Sequence, residues 1–315
     1  MTVRARSAAL VAAMCLLSLA GMASAQHRGC VVESAPPLSF GTLQANPTGS
    51  NSTSTPITVR CSGNGSEGGA TVLVCIRLEP TPGQTTERRM TSGTSALRYE
   101  IRGGSPSGPV IAGNQTANAT MTLDQGTTSS PTGIVTIPLY GGIIPGQMGL
   151  ASGTYTEAIL GDVRSTTTPA AGCTAEIKAI LNTSASAVIA GSCSIVADNL
   201  AFGSHSSLAG SINAAAGIRL TCTSNTAYSV GINGGGSGNT ADRRMRRDGI
   251  GPESIGYGLY RDAGRTQTWG NTPATSVQGT GTGSLVSMTA YGQVPAQPNP
   301  LTGDYRDTVV VTVEF

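Results

Sequence analysis

A set of short motifs occurs twice in this chain, and that duplication fixes the number and kind of folding units. Cys30, the run Leu38 to Gly41 (LSFG) and the run Ile57 to Cys61 (ITVRC) return as Cys193, Leu200 to Gly203 (LAFG) and Ile218 to Cys222 (IRLTC). Arg89-Met90 returns as Arg244-Met245. Tyr140-Gly141 with Pro145 and Gln147 returns as Tyr291-Gly292 with Pro295 and Gln297, and Gly153, Tyr155 and Glu157 return as Gly303, Tyr305 and Asp307. A repeat of roughly 150 residues is a duplicated domain rather than a solenoid unit. The chain is therefore read as one module written twice, residues 26–188 and 189–315, and the differences between the copies bear on function.

Residues 1–25 have the layout of a secretory signal peptide. Arg4 and Arg6 lead an apolar run from Ala8 to Ala20, and Ala23-Ser24-Ala25 supplies the small residues of a cleavage site. The chain holds 19 Lys and Arg against 17 Asp and Glu. Without the two leader arginines the charges balance, so there is no electrostatic footprint for nucleic acid or an acidic membrane. The one basic cluster, Arg243 to Arg247 (RRMRR), has a shorter counterpart in the first copy and is read as a feature of the fold.

Six cysteines remain outside the leader, an even number in an exported chain, which favours disulfides. The repeat pairs Cys30 with Cys61 and Cys193 with Cys222, leaving Cys75 and Cys173 to a bond unique to the first copy. No CxxC spacing occurs, and His27 and His205 stand alone, so neither a metal site nor a cofactor is expected.

The 43 glycines and 17 prolines break the sequence into short runs, several of which alternate with the two-residue period of a half-buried strand. Thr71 to Glu79, Ile134 to Gly141, Tyr228 to Asn233 and the stretch from Tyr305 to Phe315 are the clearest, and no segment beyond the leader carries a helical period. The expected fold is all-β, with two immunoglobulin-like sandwiches in tandem. Catalysis finds no support. The glycine-rich run Asn233 to Gly238 lacks the ending of a phosphate loop, and one lysine and two isolated histidines do not make a nucleophile–base pair. The chain is read as not an enzyme.

In the second copy, Cys193, Phe202-Gly203, Cys222-Thr223, Arg244-Met245, Gly256-Tyr257, Leu259-Tyr260, Trp269-Gly270, Tyr291-Gly292 with Pro295, and Gly303 through Val313 resemble the spore coat protein U domain family. That family comprises secreted, pilin-like subunits of archaic chaperone-usher pili. The first copy keeps Cys30, Phe40-Gly41, Cys61, Arg89-Met90, Tyr140-Gly141 and Tyr155 but lacks the Trp-Gly pair. The resemblance implies a sandwich missing its last strand. A periplasmic pilus chaperone would hold it, an outer-membrane usher would receive it, and the N-terminal strand of the adjacent pilin subunit would complete it by donor-strand exchange. The second copy fits this, with Val309, Val311, Val313 and Phe315 as the acceptor edge, since an unpaired apolar edge invites a strand.

The first copy is expected to complete itself. From Cys173 to Ile189, Ala175, Ile177, Ala179 and Leu181 alternate with Glu176, Lys178 and Asn182, which reads as the missing strand supplied in cis and tied by Cys173 to Cys75. An interdomain linker that alternates by accident is the other reading. On the expected cleavage only four residues precede Cys30, too few for a donor strand at about 3.3 Å per residue. A chain that accepts a strand but has none to give belongs at the pilus tip, on the cell surface.

By the same resemblance, the first domain of such a tip subunit grips an abiotic or host surface and promotes biofilm formation. Two apolar loops are candidates for that contact: residues 141–153 with Ile143, Ile144, Met148 and Leu150, and residues 105–113 with Pro109, Val110 and Ile111. Buried roles compete for both. Glycan binding is poorly provided for, with a single Trp, in the second copy. The rival reading of the whole chain is a secreted structural coat or matrix protein of a cell or spore surface.

Overall fold

A computed structural model describes residues 29–49, 51–80, 87–111, 115–124 and 130–315; the expected signal peptide lies outside them. The described residues form two β-sandwiches with three short 3-10 turns and no α-helix.

The first sandwich contains β1 (Gly29–Ser34), β2 (Leu38–Leu43), β3 (Ser52–Ser62), β4 (Thr71–Leu78), β5 (Arg88–Ser92), β6 (Ser95–Gly103), β7 (Thr116–Thr122), β8 (Thr132–Ile143), β9 (Gly153–Thr166) and β10 (Ile177–Ile189). They pair in the order β1-β3-β8-β6-β5-β9-β10-β2, and β4 joins β7 to the far half of β9. Alternation drives this arrangement. Thr55, Ile57, Val59 and Cys61 of β3 point inward, as do Leu97, Tyr99 and Ile101 of β6 and Ile137, Leu139 and Ile143 of β8. β4 departs from the rule because Val72 to Ile76 are all buried. Its outer side lies under the turn Pro169–Thr174, which Cys173 bonds to Cys75.

The second sandwich repeats the plan with β11 (Cys193–Ala197), β12 (Ile212–Cys222), β13 (Ala227–Ile232), β14 (Arg243–Arg247), β15 (Ser254–Tyr260), β16 (Val277–Thr280), β17 (Leu285–Val294), β18 (Tyr305–Arg306) and β19 (Val311–Glu314). One sheet runs β11-β12-β17-β15-β14-β18 and the other β16-β13-β19. Cys30–Cys61 and Cys193–Cys222 fasten the equivalent opening strands in the two units, β1 to β3 and β11 to β12.

Two strand expectations need correction. The C-terminal run from Tyr305 is not one continuous strand but breaks between Arg306 and Val311. In β10 a register shift between Ile177 and Ala179 turns Ile177 outward. The inward set is Leu181, Ala185, Ala187 and Ile189.

Candidate functional site: an unfilled strand position

The two sandwiches differ most where β10 lies. In the first, β10 runs antiparallel to β9 along its whole length, from Ile177 opposite Arg164 to Ile189 opposite Gly153. Its other edge pairs parallel with β2, Ala185 beside Leu38 and Ile189 beside Leu43. Leu181, Ala185, Ala187 and Ile189 thereby enter the core.

In the second sandwich, β18 pairs only with β14 and β19 only with β13. Among the described residues, nothing covers their outer edge. The counterpart of β2 contains Leu200 and Phe202 and forms no strand at all, because β2 exists only through its ladder with β10. The segment still keeps its seat. A methyl group on Gly292 would come within 2.9 Å of Leu200 and 3.0 Å of Phe202, as one on Gly141 would come within 2.6 Å of Leu38 and 2.7 Å of Phe40. Glycine at these two points lets the segment lie directly on the long strand.

Burial records the consequence residue by residue. Leu38, Met90, Tyr155, Ile159 and Val163 are buried in the first unit; Leu200, Met245, Tyr305, Val309 and Val313 stand in their places, half-buried. Val311 is half-buried as well, and Phe315 is 63% exposed. Three of the four expected acceptor residues thus pack against the core along one side of a groove, and Phe315 lies beyond it.

A polar cluster lies beside the groove in both units. In the first, Arg88 donates to Glu157 Oε1 (2.9 Å), to the Tyr99 hydroxyl (3.3 Å) and to the Glu79 carbonyl (2.8 Å). In the second, the fully buried Arg243 donates to the carbonyls of Asn233, Thr240, Ile232 and Trp269 at 2.6–3.0 Å. Asp307, one methylene shorter than Glu157, instead accepts from Tyr257 Oη (2.7 Å) and from the Gly236 and Thr308 amides. These bonds hold the chain at the break between β18 and β19. Burial pushes both tyrosine hydroxyls up, with Glu157 and Asp307 adding to the shift. Burial also lowers the Arg243 guanidinium from its ordinary value. Among the described residues no three His, Cys, Asp or Glu side chains are placed to hold a metal ion.

The apolar loops of the first domain are mostly scaffold. Ile111, Ile143 and Leu150 are buried at 3–4% exposure, which corrects the expectation that they face a surface; Ile144 and Val110 are half-buried, while Pro109 and Met148 are exposed. Ile111 occupies the place of Trp269. Ile111 N donates to the Ile101 carbonyl (2.7 Å) as Trp269 N donates to Leu259 (2.8 Å), and the bridges Arg102 to Val110 and Tyr260 to Thr268 flank them. The other loop is folded by Gln147, which accepts from Arg98 N (2.6 Å) and donates to Arg98 O (2.8 Å); Gln297 does the same to Gly256. The recurrence of Pro145 and Gln147 as Pro295 and Gln297 was the signal in the sequence that this loop is structural.

The site is that of a pilin-type sandwich with an unfilled strand position, preceded by a filled copy of itself. Residues 16–162 and 179–312 match the family model of the Spore Coat Protein U domain, and the chain belongs to that family. Over 73 residues it is 41% identical to Protein U of Myxococcus xanthus, a stretch amounting to 23% of this chain and 40% of that protein. In fold it is similar to a chain of the chaperone–tip adhesion subunit pre-assembly complex CsuC-CsuE, from the archaic chaperone-usher Csu pili of Acinetobacter baumannii. The TM-score is 0.51 at 17% identity, covering 91% of this chain and all of the other.

Proposed function

We propose that this protein is the tip adhesin of an archaic chaperone-usher pilus, and that its second domain is completed by a strand from outside the chain. That strand would come first from a periplasmic chaperone and then, through the usher, from the adjacent pilin subunit. The observation that carries this is the unfilled position beside β18 and β19, set against the same position filled by β10. Residues 26–188 would form the attaching domain, serving surface attachment and biofilm formation at the cell surface, and residues 189–315 the fibre-joining domain. Because β10 closes the first domain, that domain has no place for a further strand and suits the free end of a fibre. The fold likeness to the CsuC-CsuE complex supports the same assignment.

Attachment is best served by the pole of the first domain away from the second. Cys30 Sγ lies 3.3 Å from Ser165 Oγ, bringing the start of β1 to the end of β9. At that end Gly63 N donates to the Pro131 carbonyl, Leu123 exchanges backbone hydrogen bonds with Gly69 and Ala70, and Thr166 of β9 lies opposite Leu73. Pro169 and Ala170 are exposed there, braced by the Cys75–Cys173 bond. Met148 and Ile144 sit toward the opposite pole, in the loop whose Ser152 bonds to the second domain.

The test is periplasmic expression of the full chain with and without its cognate chaperone, beside a chain extended after Phe315 by a copy of residues 167–190 carrying Cys173→Ser. The full chain should accumulate only with the chaperone and the extended one without it. A full chain that is monomeric and soluble alone would overturn strand acceptance. One that assembles with itself unaided would favour a structural coat or matrix protein.

A further inference from the structure

β10 is the segment immediately ahead of Cys193, separated from it only by Ala190, Gly191 and Ser192. The first domain is thus closed by the strand that precedes the next domain, which is the relation strand exchange sets between successive subunits. The junction between the two domains is therefore a joint of that kind with both halves visible, and it contains more than the strand. Ser152 N donates to the Ser224 carbonyl (2.8 Å), Asn225 Nδ2 donates to the Ser152 carbonyl (3.2 Å), and Thr226 Oγ1 donates to Ser152 Oγ (3.1 Å). Gly191 lies so close to Thr226 that an added methyl would come within 2.8 Å of its hydroxyl. The loop before β9 is a shelf, and the turn between β12 and β13 rests on it.

The second domain has the same shelf, and among the described residues nothing rests on it. Gln297 folds its loop as Gln147 folds the first, and Tyr305 Oη donates to the Leu301 carbonyl (2.8 Å) as Tyr155 Oη donates to Ala151 (2.8 Å). Counting back from these tyrosines, Thr302 stands where Ser152 stands and Leu301 where Ala151 stands. Both are exposed, Leu301 at 58%. A hydroxyl and its flanking backbone are retained, and an apolar side chain is added.

We propose that Leu301 and Thr302 form a second docking surface of the fibre-joining domain, distinct from the groove. Its occupant is the adjacent subunit: a pilin-type domain joined by about three residues to the strand in the groove, whose turn after its second-cysteine strand carries small hydroxyl or amide side chains like Ser224, Asn225 and Thr226. This rests on the strand-acceptance reading. Such a contact fixes the angle between subunits, which a strand on a short link alone leaves free.

Two extended chains test it by amide hydrogen exchange. One carries a copy of residues 167–190 after Phe315. The other carries a copy of residues 167–315 followed by a second copy of 167–190, so that every domain is closed in cis; all copies carry Cys173→Ser. Exchange across 305–313 should slow in both chains. Exchange at 300–303 should slow about tenfold or more only in the longer one, and Thr302→Arg should restore it there without reopening 305–313. If 305–313 stays fast in both, strand acceptance and the shelf fall together. If 305–313 slows in both but 300–303 does not differ, the shelf alone is overturned.

Discussion

Val163 and Val313 occupy equivalent strand positions in the two domains, each opposite its partner on the adjacent strand of the same sheet, Ile76 and Val230. The first is buried and the second half-exposed. Nothing in the two residues accounts for this; the difference lies in a third strand, present beside one and, among the described residues, absent beside the other. Tyr155 and Tyr305, Ile159 and Val309, and Met90 and Met245 repeat the contrast. The duplicated motifs specify an open sandwich, and what closes it is a separate choice. In the first domain that choice is made within the chain and reinforced by a disulfide. In the second the groove keeps apolar surface in water, at a cost of roughly 25 cal/mol per Å².

The largest effect that could separate the domains comes from placing a charge in each. Leu181→Asp buries a carboxylate where β10 fills the core and should cost about 4 kcal/mol or more. Val313→Asp leaves its carboxylate in a half-open groove and should cost roughly 1–2 kcal/mol. Denaturant titration that resolves the two unfolding transitions would report both. Equal costs would mean that the second groove is closed in solution.

Removing the acid of each polar cluster comes next. Glu157→Gln strips the buried Arg88 of its carboxylate and should destabilise the first domain by about 3 kcal/mol. Asp307→Asn leaves the four carbonyl contacts of Arg243 intact and should cost the second domain about 1 kcal/mol. Calorimetry of the two variants measures the gap, and its absence would show that Asp307 supports Arg243 as directly as Glu157 supports Arg88. The joint replacement Cys75→Ser and Cys173→Ser should cost the first domain about 2 kcal/mol or somewhat more. It should also speed exchange at the start of β10 before the rest of that strand. Uniform loosening of β10 would instead mean that the bond acts on the whole strand.

The architecture was legible in the sequence because it was written twice. Paired cysteines, the Leu-x-Phe-Gly segment and the tyrosine before the last strand each appear at matching distances, and the structure puts each pair to the same use. The final strand of the first domain was legible from the family resemblance together with alternation, though its register was not. The shift between Ile177 and Ala179 changes which residues face inward, and no periodicity reports it. The apolar loops were misread for a related reason. Hydrophobicity in a loop signals contact without saying with what, and Ile143, Leu150 and Ile111 make theirs with their own core. Copy-to-copy comparison held the correction: Gln147 recurs as Gln297, and Ile111 takes the position of the Trp that the first copy lacks. The shelf at Leu301 and Thr302 was not legible, because two ordinary residues acquire meaning only when Ser152 is seen bonded to the next domain.

The smallest difference is in acid. Asp162 of β9 is buried, and burial alone would raise its carboxyl. Hydrogen bonds from Arg164 Nε (2.7 Å) and Arg77 Nε and Nη2 (2.9 and 2.6 Å) outweigh that and hold it below its ordinary value of 3.8. A carboxyl depressed in the folded state contributes stability that is present above its unfolded value and lost as pH falls through the folded one. The first domain should therefore weaken below pH 3.8, and Asp162→Asn should flatten that decline. The second domain has Gly231 and Thr312 where Arg77 and Asp162 stand. Its own depressed carboxyls lie at the surface: Asp198 is held down by hydrogen bonds from Arg219, and Asp262 by the Gln267 and Thr266 amides and the Thr266 hydroxyl. At Asp198 solvent and salt screen an exposed ion pair, so it adds little. Thermal unfolding followed from pH 5 to pH 2.5 should show the first transition falling faster than the second. If both fall in parallel, the Asp162 cluster does not distinguish the domains, and their acid response is set by net charge instead.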